Sequence, residues 1–447
     1  MGSPPVPARD RSPGTGLMLV LMATMAVGPL LTHSLSAMSP LVIADLGLSE
    51  SQFGLLATVT FAAAAVTAVR TGRWADRLTA RTLLVVIFGG AAVSMLLAVA
   101  APGYAVLLVA MVVSGLGQVM ANPATNRLIR LHVPAPRRAS WLGVKQAGVQ
   151  AAQLAAGLVF PALGLLLGWR PAVALAAALV VVLLLAGVRT VPDGSAPPYG
   201  RAGPGGPAAA DGRAAGGRTG AQGPGAPAGS GARAAGGGAP DRDVPARRRR
   251  RAARPPMPGV VRAYAAAAAL TGLGAQSANV YLPLYAHREL GLDVVAAGAT
   301  VSVAALLGIA SRVVWARVMD RPGTDGFVLL VVMALGAAGS AALLVVAPLH
   351  PSLTWTVWPA AVLHGAAALA VSVVVMSGTM RAVPAERLGA ATGVVTMGLY
   401  AGFCTGPLLT GGLLQLTGSF GTGWTVVLAC YLACALLAAL ARRRARA

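Results

Sequence analysis

Residues 133–148 read VPAPRRASWLGVKQAG, and 250 positions later residues 383–398 read VPAERLGAATGVVTMG. The constant offset pairs Val133, Pro134, Ala135, Arg137, Gly143, Val144 and Gly148 with identical residues. A second pair, RWADR at 73–77 and RVMDR at 317–321, matches at a similar displacement. Self-similarity over such a distance means that the two halves of the chain follow one plan.

The residues between the matches say what that plan is. Of the 447 residues 56% are hydrophobic and only 11% charged, a balance that cannot clothe a soluble surface. With 5% aromatic residues and much Ala, Gly, Leu and Val, the composition suits closely packed transmembrane helices and not alternating barrel strands. Twelve apolar runs of about 20 residues, each long enough to cross a bilayer, are predicted. They lie at 17–38, 51–70, 82–101, 104–126, 139–160 and 171–188, then at 262–285, 294–316, 326–347, 356–379, 390–415 and 424–441. The first run follows arginines as a signal peptide would, but its length makes it an uncleaved anchor. Cys404, Cys430 and Cys434 all fall inside apolar runs, which excludes a disulfide framework, and no metal-ligand spacing appears.

The net charge of +22 is explained by topology. Arg73, Arg77 and Arg81 follow the second run, Arg127, Arg130, Arg137 and Arg138 the fourth, Arg317 and Arg321 the eighth, and Arg381 and Arg387 the tenth. Both tails are basic as well, so the positive-inside rule puts both termini in the cytoplasm of an inner-membrane, multi-pass protein. Aromatic residues do not interleave the arginines as nucleic-acid binding would require. The domain plan is a tail at 1–16, a six-helix bundle at 17–188, a cytoplasmic linker at 189–260, a second bundle at 261–441 and a tail at 442–447. The linker is Gly, Ala and Pro without a periodic apolar face, and therefore predicted disordered. Its five arginines at 247–251 suit anionic lipid of the inner leaflet.

Gly72, Asp76, Arg77 and Arg81 resemble the Gly-x-x-x-Asp-Arg-x-x-x-Arg loop between helices two and three of the major facilitator superfamily, with Thr79 where that family often has Gly. Twelve spans, the repeat and the long central segment extend the likeness over nearly the whole chain. The resemblance implies a cofactor-free, monomeric transporter that moves a small solute by alternating access between two bundles. It also casts Gly72, Asp76, Arg77 and Arg81, with Arg317, Asp320 and Arg321 of the second half, as a charged conformational latch. Two departures weaken a reading as a drug antiporter. Met111 stands where the family often carries a helix-four arginine, and helix five has GVQAAQLAAG in place of a Gly-x-x-x-Gly-Pro pattern, which appears only at Gly402, Gly406 and Pro407.

No Asp or Glu lies mid-span; the ionisable residues there are His33, Lys145, Arg312 and His364, each a functional candidate because burying it is costly. Lys145, about 9 Å into its helix, either snorkels to the interface or faces the cavity, and Arg312 has the same choice. Amides recur at Gln118, Asn122 and Asn126, at Gln146, Gln150 and Gln153, and at Gln276 and Asn279. Lipid cannot satisfy them, so they face protein or a cavity. The family places helices one, four, seven and ten around the cavity, so His33, Asn122, Asn126, Gln276, Asn279 and His364 are expected to line it, and Lys145, Gln146 and Gln150 of helix five with Arg312 of helix eight complete the expected substrate site. Bonds that merely hold helices together would account for the same amides. The expected substrate is a small anion or polar metabolite, with His33 or His364 available for proton coupling. The alternatives are export of hydrophobic, drug-like compounds and a non-transporting sensor or scaffold; no nucleophile and base pair or phosphate-cradling loop supports an enzyme.

Overall fold

In hydrocarbon the backbone can satisfy its polar groups only with itself, so apolar runs of this length become helices. A computed structural model describes residues 15–134, 137–190 and 257–446, with the backbone alone at 69, 72, 73, 75, 76, 139, 385, 386, 445 and 446. It is all-helical among the described residues. The first half holds α1 (Thr15–Ala37), α2 (Ser39–Leu46), α3 (Glu50–Arg77), α4 (Ala80–Val99), α5 (Tyr104–His132), α6 (Arg138–Leu167) and α7 (Trp169–Thr190). The second holds α8 (Gly259–Arg288), α9 (Val294–Met319), α10 (Gly326–Val346), α11 (Val357–Ala366), α12 (Val371–Ala382), α13 (Ala385–Thr417) and α14 (Phe420–Arg446).

Eleven stretches are long and apolar enough to span a membrane. The twelfth predicted span is α8, a 30-residue helix diluted by Thr271, Gln276, Ser277, Asn279 and several glycines. Most of its second half is buried, so it meets protein more than lipid and can be polar. One predicted span is also broken: the run at 356–379 is interrupted by a 3-10 turn at Ala368–Ala370 between α11 and α12. The first span ends where predicted, the chain turning at Met38, ahead of Pro40. At the far end α14 carries the predicted tail on as helix, and Arg442 Nε bonds Asp325 Oδ2 at 3.0 Å. The predicted linker, its arginine run and the first 14 residues lie almost wholly outside the described residues.

The repeated residues have a structural reason. A Cβ on Gly148 of α6 would overlap the Met22 carbonyl of α1, and one on Gly398 of α13 would overlap the Ala265 carbonyl of α8. In each half this glycine lets the fifth long helix lie backbone to backbone on the first. Gly402 and Gly406 continue the same approach against Ala269 and Leu273.

Between the halves, contacts gather at the end opposite the arginine-rich loops, here the distal end. Glu50 on α3 pairs with Arg288 on α8. Tyr281 Oη reaches the carbonyls of Glu50, at 2.8 Å, and Pro407, at 3.3 Å. Ser51 meets Gln415, and Thr58 Oγ1 donates to the Cys404 carbonyl at 2.9 Å. At the arginine-rich end Arg127 bonds the Leu78 carbonyl and Arg381 the Met319 carbonyl, each within its own half. Exposure follows suit along α6, where Gln146 is half-buried and Gln150 and Gln153, nearer the distal end, are buried. The described contacts between the halves thus hold them together at the distal end.

Candidate functional site

On α6 the residues 146, 150 and 153 recur at helical spacing and share one face. Lys145 points away from that face, toward α5, and is only 1% exposed. Its Nζ donates to Asn122 Oδ1 at 3.2 Å, Thr125 Oγ1 at 2.8 Å and Asn126 Oδ1 at 2.6 Å. Asn122 Oδ1 also accepts from Gln146 Nε2 at 3.1 Å. Of the two sequence expectations for Lys145, snorkelling is therefore not what is found. The ammonium has exchanged its water for three neutral oxygens, which use all three of its donors. Thr125 escaped notice in the sequence, although it lies between two recognised asparagines on one helix face.

Arg312, on α9, is half-buried. Its Nη2 donates to the Leu369 carbonyl at 3.0 Å, and Gln150, with its amide turned to satisfy both neighbours, accepts from the same nitrogen at 3.0 Å and donates to the Gln146 carbonyl. Two other residues of α9 serve the same break between α11 and α12: Ser311 Oγ donates to the Gly365 carbonyl at 3.0 Å and Trp315 Nε1 to the Ala366 carbonyl at 2.8 Å. Side chains inserted into a helix ladder are a standard cause of such kinks, and here they replace the lost backbone donors.

Deeper toward the distal end, Asn279 of α8 joins both halves. Its Oδ1 accepts from Gln153 Nε2 at 3.0 Å and faces His364 Nε2 at 3.3 Å, its Nδ2 donates to Gln276 Oε1 at 3.4 Å, and its carbonyl accepts from Ser36 Oγ at 2.6 Å. Gln276 Nε2 and Gln118 Oε1 are buried without hydrogen-bond partners among the described residues. His33 is buried on α1 one turn before Ser36, and has no hydrogen-bond partner among the described residues. Nine of the ten expected site residues thus fall into two linked sets, one around Lys145 and Arg312, the other around Asn279; His33 joins neither.

The repeat makes the site lopsided. At the repeat's offset of 250, Lys145 corresponds to Val395, and Gln146, Gln150 and Gln153 correspond to Thr396, Tyr400 and Phe403. Tyr400 and Phe403 stack near Phe61 of α3, with ring centroids 6.4 and 5.0 Å away. One seam between the halves is amide-lined and cationic, the other aromatic. The carboxylates with described side chains, Asp45, Glu50, Glu289, Asp293, Asp320 and Asp325, all stand at helix ends or in loops, and no ion pair among the described residues joins any of them to Lys145 or Arg312.

Of the expected latch, Asp320 is exposed and lies 3.8 Å from Arg381 of its own half. Arg77, Arg317 and Arg321 are exposed, and Arg81 sits in the first turn of α4. Of Gly72 and Asp76 only the backbone is described.

Comparison with known proteins bears on this architecture. The sequence profile of the Major Facilitator Superfamily matches residues 15–389. No curated protein matches the chain. Among solved structures, a bacterial homolog of the human lysosomal transporter Spinster, crystallised inward-facing and occupied, superposes with TM-score 0.66 at 17% identity, covering 96% of each chain. The nucleoside transporter NupG superposes with TM-score 0.64 at 14% identity, covering 96% of this chain and 98% of that one. At these identities the likeness is one of fold.

Proposed function

The chain belongs to the major facilitator superfamily, and from that premise we propose that it is a secondary transporter of a small organic or inorganic anion, working by alternating access across the inner membrane. The observation that carries the substrate class is the pair of mid-span cations, Lys145 and Arg312, with no described carboxylate inside the spans to neutralise them. An uncompensated cation in a low-dielectric site is costly, and an anion arriving in the cleft relieves that cost. Arg312 is half-buried and so stands where a ligand can reach it, and Asn122, Asn126, Gln146 and Gln150 supply hydrogen bonds that fix orientation. His364, already facing Asn279, is the better placed of the two histidines to link a proton to transport.

In this reading the arginine-rich end and both termini are cytoplasmic, so the distal contacts between the halves close the periplasmic side. The protein works as a monomer without cofactor or nucleic acid, and its linker arginines engage anionic lipid. The loop holding Asp76, with Asp320 and Arg321 in the second half, serves as the cytoplasmic latch. Uptake of labelled anions into proteoliposomes tests the substrate class: Arg312→Gln should abolish it, and undiminished anion uptake by that variant would refute the reading. The aromatic seam of Phe61, Tyr400 and Phe403 favours a second reading, export of an apolar compound bound by area. Anion-independent efflux lost in Tyr400→Ala would select it.

A further inference from the structure

We infer that Lys145 is a positioning residue and not a substrate contact: its buried ammonium locks Asn122 and Asn126 with their amide N–H groups presented to the cleft, as a donor pair for an oxyanion. The inference rests on the anion reading above and deepens it.

An ammonium can only donate, so any amide that bonds it must turn its oxygen inward. Asn122 Oδ1 and Asn126 Oδ1 both do so, and Asn122 Oδ1 is further committed to Gln146 Nε2. Each side chain is thereby left with its NH2 pointing elsewhere. Neither Nδ2 has a partner among the described residues, although Asn126 is exposed and Asn122 half-buried, whereas Lys145 itself is shut away at 1%. The two amides stand one turn apart on α5, about 6 Å along the axis, so a carboxylate, phosphate or sulfate can accept from both. Lys145 adds its charge from behind without being touched. The corresponding positions of the second half are Ser372, Met376 and Val395, so the device is present once.

The test is a double-substitution cycle on the purified full-length chain, with acetate, succinate, phosphate and sulfate as probes and ligand-dependent thermal shift giving an apparent Kd. Lys145→Met and Asn126→Ala should each weaken the best probe by about tenfold, as loss of a charge-assisted bond does. Because Lys145 acts through the asparagines, the double variant should weaken it by little more than either alone. Multiplying effects, about a hundredfold in the double variant, would mean direct contact and overturn the inference. So would a probe Kd unchanged in Lys145→Met, while leaving the anion reading standing. Should Lys145→Met not fold, Lys145→Gln takes its place in the same cycle. If none of the four anions stabilises the unsubstituted protein, the anion reading falls and this inference with it.

Discussion

Gly157→Ala separates the energetics of the seam from those of the bundles. Gly157 lies on α6 against α9 of the other half, and a Cβ there would overlap Ser302 Oγ and the Gly298 carbonyl and stand 2.9 Å from Val301 Cγ2. Ser302 has little room to yield, because its Oγ donates to the Leu154 carbonyl at 3.0 Å. Overpacking of this kind costs about 1–3 kcal/mol. The cost falls only on the conformation in which the two halves meet distally, so the equilibrium moves toward the distally open form by about 5- to 150-fold. Gly402→Ala is the matched control. Its Cβ would overlap the Ala269 carbonyl and lie 2.7 Å from Leu273 N, but both are on α8 of the same half, so every conformation of a rocking bundle bears the strain equally. Spin labels at Gln52 on α3 and Leu416 on α13, both exposed at the distal rim, report the separation of the halves. Gly157→Ala should lengthen that distance while Gly402→Ala lowers only the melting temperature. Equal loss of stability in both variants, with identical distance distributions, would refute the argument.

Other variants probe single bonds. Tyr281→Phe deletes the hydroxyl that bridges toward Glu50 and Pro407, worth about 1 kcal/mol, and should open the same label pair several-fold more often; an unchanged distribution would assign the hydroxyl no part in closure. Glu50→Gln breaks the pair with Arg288, which is partly exposed, so its effect should stay under about 1 kcal/mol and fade in high salt. Trp315→Phe keeps an aromatic side chain but strips the Ala366 carbonyl of its donor, and should speed hydrogen exchange around residues 366–371 with little change elsewhere. Asp76→Asn should leave protein level normal and abolish transport if the loop is a latch; full transport would reduce the stretch to a topology signal.

The sequence of this protein determined the long helices, their number and the division into two alike halves, because hydrocarbon forces the backbone to satisfy itself and a repeated residue such as Gly148 or Gly398 writes close packing into the letters. It also nominated the amides and cations, since a polar group in an apolar run stands out whatever it touches. It did not reveal that α8 is buried along most of its second half, that the run at 356–379 breaks at Ala368, or whether Lys145 reaches for water. Those depend on neighbours distant in the chain: the helices that cover α8, the Ser311, Arg312 and Trp315 donors that take over the carbonyls at the break, and the α5 oxygens that replace water around the ammonium. A buried charge goes where its desolvation is best compensated, and only the tertiary structure brings the compensating atoms together.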